Sequence, residues 1–435
     1  MSAAVEAPGT PGTPSSDGTE KRHKVQVGWK AASGLIIVGA LFALLLVAVP
    51  RDGVTKFALS RGADAVQIPL LEIPAMPLAW GCLVAMALIA AYSVVRTLAN
   101  RRTSIWAIAA FGALSLTGFL AWAGAGSSGT LSIVSLLSGS LLGAVPLVYG
   151  SLSGVIGERS GVINIAIEGQ MLAAAFTGAV AGSVTGSPAA GVFAAVLAGM
   201  LVALVLALFT VTHRVNQIIV GVVLNVLVLG LTSFFYSQVL VPNAATLNSA
   251  PRFGSWTIPL LNDIPVIGPV LFDQAPLIYL MYFVVAGVWF AMYRTRWGLR
   301  LRAVGEHPKA ADTVGVNVER TRYLALLIGG ACAGLGGAFY TTVAVDQFGL
   351  NMTAGAGFIA LAAMIFGKWD PVRAAMAGLL FGFASNLQNV LSVVGSPVPS
   401  QFMLMVPYVV TLFAVAGLVG RSRPPAANGQ PYLKG

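Results

Sequence analysis

The stretch Gly157–Gln170, GERSGVINIAIEGQ, places three charged side chains and three glycines between two long uncharged runs. No Asp, Glu, Lys or Arg occurs from Thr103 to Gly157, and none from Gly169 to His213. Glu158, Arg159 and Glu168 therefore lie within or beside a membrane-embedded region. An ionisable group there costs free energy unless it is paired or hydrated, so it serves a pathway, a partner contact or a fixed structural pairing. Gly157, Gly161 and Gly169 permit backbone that a continuous helix does not need. A chain that merely anchored something would have no use for such a segment.

The composition demands a bilayer as solvent. Of 435 residues, 57% are hydrophobic and 9% charged, with a mean hydropathy of +0.84; ordinary soluble domains carry about 25% charged residues. The net charge of +10 raises the question of nucleic acid. That reading is rejected, because the basic residues sit in short loops between apolar runs, the pattern of membrane orientation. Cys82 and Cys332 lie in apolar spans and form neither a disulfide framework nor a metal spacing. Residues 1–30 are rich in Pro, Gly, Ser and Thr and read as a disordered tail. Lys21, Arg22, Lys24 and Lys30 before the apolar run from Ala31 resemble a signal-peptide start, but no convincing cleavage pattern follows at Leu45–Arg51, so the run is taken as a retained first helix.

A spanning helix needs about 20 mostly apolar residues. Candidate spans are Ala32–Val49, Met76–Val94, Ser104–Ala123, Leu131–Ile156, Gln170–Val184, Ala189–Val211, Gln217–Tyr236, Pro276–Tyr293, Tyr323–Val343, Gly355–Phe366, Ala374–Val393 and Phe402–Val419. The tenth is short, as a tilted or re-entrant segment would be. The expected fold is an all-α polytopic membrane protein of about 10–12 spans. Loops assigned to the N-terminal side hold 21 Lys and Arg against 4 on the other side, which places both termini in the cytoplasm. The loop Ser237–Ala275 on the outer side contains apolar pieces too short to span, which either lie at the interface or fold back. Gly178-x-x-x-Gly182-x-x-x-Gly186 and Gly330-x-x-x-Gly334 are small-residue ridges that let helices approach closely, expected mainly to pack within the chain.

The loop Arg294–Arg322 is the one long cytoplasmic segment, with seven basic and three acidic residues. Pro308 can open a helix over Pro308–Val314, and Gly315 can take positive φ at its end. From the residues alone this is either a docking helix for a partner or a solvated positive loop. His23, His213 and His307 do not cluster, so no metal site or catalytic triad is expected. The pattern G-x-x-x-x-G-K-[ST] is absent, since Trp369 follows Gly367-Lys368; the chain has no recognisable phosphate loop.

Four ordered segments now carry a resemblance: RAVGEHPKAADTVGVN at Arg302–Asn317, GERSGVINIAIEGQM at Gly157–Met171, QIIVGVVLNVLVLGLTSFF at Gln217–Phe235, with Gly221 and Asn225 as marked positions, and GFIALAAMIFGKWDPVRAAMAGLLFG at Gly357–Gly382. Together they resemble permeases of ABC importers in the branched-chain amino acid/simple-sugar permease family, over about Leu141–Gly420. GVINIAIEG, with Asn164 where ribose-type permeases have Asp, looks more like the nucleoside-type branch linked to basic-membrane-protein lipoproteins. The domain reading is a tail to residue 30, less diagnostic helices over 31–130, a permease core over 131–420 and a cytoplasmic tail over 421–435.

The resemblance implies a type II importer fold and nucleoside uptake by alternating access, with no enzymatic role, no metal and no cofactor of this chain's own. ATP would be bound by a separate ATPase subunit. A second, non-identical permease and a substrate-binding lipoprotein would complete the assembly in the bacterial plasma membrane. Glu306, Pro308, Ala310, Ala311 and Gly315 would couple to the ATPase. A flat polar solute needs amides and apolar surface, so Asn164, Asn225, Asn386 and Gln388, with Phe234, Phe235 and Phe358, are the candidate pathway residues. The bland alternative is interhelical pairing for the amides and packing for the rings. Glu158, Arg159 and Glu168 are expected to fix the fold or a subunit contact: either Glu158 and Arg159 pair with each other, or all three sit at the cytoplasmic interface against the partner permease or the ATPase. A simple-sugar permease of the same family is the alternative. An ion-coupled transporter would favour paired acids deep in the spans, and none is found outside Glu158–Glu168.

Overall fold

The computed structural model describes residues 29–62, 64, 66–127, 129–394, 405 and 423–433. The longer helices are α1 (Lys30–Ala48), α2 (Ala75–Leu98), α3 (Ile105–Ala123), α4 (Ile133–Arg159), α5 (Ile167–Thr185), α6 (Pro188–Ala207) and α7 (Gln217–Phe235). After the short α8 (Ala244–Leu247) and α9 (Ile267–Leu271) come α10 (Pro276–Arg294), α11 (Arg296–Glu306), α12 (Pro308–Thr313), α13 (Val318–Phe339), α14 (Ala356–Phe366) and α15 (Pro371–Val394). Single π-turns prolong α6, α7 and α13 over Leu208–Thr212, Tyr236–Leu240 and Tyr340–Ala344. Strand content is slight: β1 (Val54–Ala58) lies between β2 (Leu71–Pro74) and β3 (Leu131–Ser132), and β4 (Trp256–Thr257) pairs with β5 (Asp273–Gln274).

Among the described residues, nine helices are long and apolar enough to cross a membrane. Eleven of the twelve spans expected from hydropathy coincide with helices; the twelfth, Phe402–Val419, lies outside the described residues. The two helices that fall short of a full span are α5, whose first turn carries Glu168 and Gln170, and the 11-residue α14. Both begin with buried residues; the non-helical backbone before α5 is mostly buried, whereas that before α14 is exposed at Leu350, Asn351 and Ala354 and turns inward at Thr353.

The chain divides into two compact units. The first comprises Met1–Ala48 and Trp80–Gly118. In it α1, α2 and α3 meet around Phe42, Cys82, Met86 and Phe111, and a Cβ on Gly118 would stand 2.9 Å from the Phe42 ring. The second comprises Val49–Ala79 and Phe119–Gly435. Here α4 and α13 are the most buried spans, and they share one apolar core with α10, α14 and α15 through Tyr149, Leu152, Ile278, Phe339, Met364 and Ala374. The loop after α7 folds back rather than projecting: Asn248 accepts from the Phe348 amide and donates to its carbonyl, and the Ala250 amide donates to the Asp346 carbonyl.

Gly178, Gly182, Gly330 and Gly334 pack within the chain, while Gly186, at φ +62° past the end of α5, has open space around its Cβ position. A Cβ on Gly199 of α6 would lie 2.3 Å from the Gly330 carbonyl oxygen and 2.8 Å from the Gly334 Cα of α13. A Cβ on Gly191 would lie 2.8 Å from the Gly178 carbonyl oxygen of α5. Backbone thus meets backbone at α5–α6 and at α6–α13, the arrangement small residues allow between membrane helices. Gly199→Val is expected to lower the melting temperature of the detergent-purified chain sharply, because the neighbouring backbone cannot yield and overpacking a core costs about 1–3 kcal/mol even where side chains can move. Gly230→Ala, with open space around its Cβ position, is expected to leave it unchanged; equal melting of the two variants would refute the close approach.

Candidate functional site

The segment that joins α4 to α5 builds the site. Ser160 caps α4, and Gly161 follows at φ +86°. The Gly161 and Val162 amides then donate back to the Glu158 and Gly157 carbonyls, which closes the helix end. The φ value is one that L side chains avoid, and a Cβ would also crowd the Arg322 guanidinium and the Ala427 carbonyl. Residues 162–164 are irregular and 165–166 form a turn before α5 starts at Ile167.

Helix α7 satisfies this exposed backbone. Gln217, Gly221 and Asn225 lie four residues apart and so share one face. The Gln217 side-chain oxygen accepts from the Ile163 amide at 2.7 Å. Asn225 accepts from the Gly169 amide at 2.8 Å and donates to the Ile165 carbonyl at 2.9 Å. Between them Gly221 leaves room, since a Cβ there would stand 2.9 Å from Ile165 Cβ. The marked positions Gly221 and Asn225 thus form one clamp; Gln217, the third member, was missed from sequence, where only its spacing to them could have pointed it out.

Glu168 holds the second interrupted helix. Its Oε1 accepts from Thr353 Oγ1 at 2.6 Å and from the Gly355 amide at 2.9 Å, and its Oε2 accepts from the Gly357 amide at 2.7 Å. Gly355 caps α14 at φ +86°. One carboxylate therefore sits in the first turn of α5 and at the N-terminus of α14, where both helix dipoles favour negative charge. Asn164 lies alongside, fully buried, with its amide bonded to Ser153 Oγ at 3.1 Å and to Gln170 Oε1 at 3.2 Å.

Glu158 and Arg159, at the far end of α4, do not pair with each other among the described residues. Both turn to the connection between α14 and α15. Trp369 Nε1 donates to Glu158 Oε2 at 2.6 Å, and Arg159 Nε donates to the Trp369 carbonyl at 2.9 Å. Glu158 also accepts from Asn428 Nδ2 at 2.8 Å. The expected C-terminal tail is in its described part, residues 423–433, a strap over this end of the bundle. The Gly429 amide donates to the Gly161 carbonyl, the Ala427 amide to the Gly305 carbonyl, and Arg322 to the Gln430 carbonyl. Tyr432 packs on Val304, Ala311 and Val318. Burial and the neighbouring Asp312 carboxylate push its hydroxyl above the ordinary phenol pKa.

The proposed coupling segment is a helix. Pro308 opens α12, Gly315 takes φ +83° after it, and the Gly315 and Val316 amides donate to the Asp312 and Ala311 carbonyls. Glu306, Ala310 and Gly315 are exposed, Pro308 is half-buried, and Ala311 faces inward under Tyr432. The other candidate side chains are spread out. Phe234 and Phe235 stack edge-on to each other, Phe235 approaches Phe176, and Phe176 in turn meets Phe348. Phe358 is half exposed on α14. Asn386 is half-buried and donates to the Leu136 carbonyl at 2.8 Å, and Gln388 is half-buried on the same helix. No group of three or more metal-ligating side chains occurs among the described residues.

Asn225→Ala leaves the Gly169 amide and the Ile165 carbonyl without their partner, at a cost of about 1–3 kcal/mol for each group stranded away from water. Glu168→Gln turns an amide donor toward backbone donors. Both variants are expected to melt well below the parent chain in detergent, whereas Asn389→Ala, at an exposed position on α15, is expected to melt with it. Parent-like melting of Asn225→Ala would show that the clamp does not hold the junction.

Residues 136–415 match the family model described as branched-chain amino acid transport system / permease component. The guanosine ABC transporter permease protein NupQ of Bacillus subtilis (strain 168) is 41% identical over 323 residues, 70% of this chain and 99% of that protein. The nucleoside ABC transporter permease protein NupC of Lactococcus lactis subsp. cremoris is 38% identical over 70% of this chain and 98% of its own length. The putative glucose ABC transporter permease protein TsgC13 of Haloferax volcanii is 37% identical over 58% of this chain and 76% of that one. No solved structure matches the chain. A family model covering well over half of the residues, and relatives aligned along almost their entire length, establish that this multi-pass membrane protein belongs to the branched-chain amino acid transport system permease family.

Proposed function

We propose that the chain is the membrane-spanning subunit through which an ATP-driven ABC importer in the bacterial plasma membrane takes up nucleosides. The observation that carries this reading is the 41% identity to a guanosine permease over 99% of that relative. The interrupted helices α5 and α14 are in keeping with it, because irregular backbone within a membrane protein is tolerated where it is buried or lines a path. The chain does no covalent chemistry. A separate ATPase subunit binds ATP and grips α12 through its exposed residues, Ala310 above all. A second, non-identical permease completes the pathway, and a lipoprotein delivers solute from outside. Both termini then lie in the cytoplasm, on the side of the Arg294–Arg322 loop.

In this reading the amides divide their labour. Asn164 and Asn225 hold the junction, while Phe358, Asn386 and Gln388, partly open on α14 and α15, face the solute path against the second permease. A sugar substrate is the second reading, favoured by the identity to a putative glucose permease.

Cells lacking this chain are expected to lose most uptake of labelled guanosine or adenosine and to keep that of glucose and ribose. Retained nucleoside uptake with lost sugar uptake would transfer the assignment to the second reading. Ala310→Trp is expected to leave the melting temperature of the chain unchanged, because the site is exposed, yet to abolish copurification of the ATPase subunit and nucleoside uptake. Intact uptake by that variant would remove α12 from the docking site.

A further inference from the structure

Two crevices meet at Trp297, on the end of the second unit that carries the basic loop. One, of about 390 Å³, is of mixed polarity: Arg300 of α11 and Arg320 of α13 line it together with Asn317, Thr321, Val316 and Leu324. The other, of about 380 Å³, is almost entirely apolar, lined by Ile156 of α4, Gly287, Val288 and Ala291 of α10, and Ile328 of α13. Trp297 borders both. Arg320, Leu324 and Ile328 stand four residues apart and form one stripe on α13. The stripe leads from the arginine crevice to the apolar one over eight residues, about 12 Å of helix. Leu324 and Ile328 are each 40% exposed.

Neither the Arg300 nor the Arg320 guanidinium makes an ion pair among the described residues, and no carboxylate lines the arginine crevice. Trp289, Tyr293 and Trp297 run along the α10–α11 turn, with Arg294 stacked over Trp289 and Arg302 over Tyr293. Aromatic and basic side chains at helix ends mark the level of the lipid headgroups. An unpaired double positive charge at that level, with an apolar slot on the other side of Trp297, matches the charge and the apolar chain of one kind of molecule.

We propose that this crevice is a binding site for an anionic glycerophospholipid, with the phosphate between Arg300 and Arg320 and an acyl chain along Val288, Ala291 and Ile328. An acidic segment of a partner protein would answer the charge of the arginines, but it would not need the apolar slot beyond Trp297. Trp297 is the divider, its indole set at the boundary between headgroup and chain. The lipid would wedge the base of α10 against α13, beside the connection that carries α12.

The test uses the full-length chain purified in mild detergent. Phosphatidylglycerol and phosphatidylcholine of matched chains are titrated in, with retained lipid read by native mass spectrometry and melting temperature as a second readout. Phosphatidylglycerol is expected to be retained and to raise the melting temperature, and phosphatidylcholine is not. Each basic residue near a headgroup is worth about fivefold in affinity, so Arg300→Gln/Arg320→Gln is expected to bind phosphatidylglycerol about thirtyfold more weakly. Ala291→Trp, which fills the apolar slot and spares both arginines, is expected to lose it as well. A melting temperature in phosphatidylcholine equal to that of the parent certifies the fold of each variant; where either variant does not meet it, Arg300→Lys/Arg320→Lys, expected to keep binding, and Ile328→Trp, expected to lose it, replace the pair. Equal retention of the two lipids, parent-like phosphatidylglycerol binding by the double variant, or a double variant that keeps the lipid but no longer copurifies an ATPase subunit would each overturn the proposal. None of these readouts depends on which solute is transported.

Discussion

Backbone that leaves a helix inside a membrane protein takes its N–H and C=O groups to a place without water, and each group left unpaired there costs several kcal/mol. Among the described residues the backbone leaves a helix before α5 and again before α14, where Thr353 and Gly357 are buried, and the side chains around these places follow from that cost. Asn225 can accept and donate at once, which is what a stretch with one free amide and one free carbonyl requires. The start of α14 offers only donors, two backbone amides and a threonine hydroxyl, and there the residue is Glu168, whose ionised carboxylate can only accept. An amide in its place would set a donor against donors. The negative charge, costly on its own in an apolar surrounding, is offset by those hydrogen bonds and by the dipoles of the two helices that start beside it.

The same economy of contacts explains why distant parts of the sequence converge on one segment. Glu168 fastens residues 353–357 to α5, and Gln217 and Asn225 fasten α7 to residues 163–169. At the other end Glu158 and Arg159 fasten the Trp369 turn, while Gly161 leaves room for the C-terminal strap. The α4–α5 connection is therefore the node through which α7, α14, α15, the strap and the α11–α13 segment are held in register. Gly305 packs against it so closely that a Cβ would stand 2.2 Å from the Arg159 carbonyl oxygen.

Much of this was legible in the sequence because it rests on local or periodic signals. Hydropathy placed the spans, and proline and glycine at fixed offsets placed α12, since each acts on its own backbone. Clustered charges and glycines in an uncharged region pointed to Gly157–Gln170. The partners of those charges were not legible. Glu158 and Arg159 are neighbours in sequence, which suggested a pair, but successive residues on a helix point about 100° apart and do not face each other. Their true partners, Trp369 and Asn428, lie some 210 and 270 residues away. The strap is expected from sequence only as a cytoplasmic tail, because a short polar segment with prolines has no period to reveal which face it covers.

The distribution of satisfied and unsatisfied surface bears on how such a permease can move. Inside the second unit the junction is hydrogen-bonded and the α5–α6–α13 contacts are backbone on backbone, an interlocked arrangement that does not deform continuously. Directional bonds of this kind would have to break together for α5 or α14 to shift alone. The outward faces are different: Phe234 and Val226 on α7, Phe358 on α14, and Met376 and Leu380 on α15 are exposed and apolar. Apolar contacts carry no directional requirement, and a partner surface can slide over them without stranding a polar group. In the proposed importer, alternating access would be met by the whole unit rocking against a second permease, with Glu168 and Asn225 holding the starts of α5 and α14 in place.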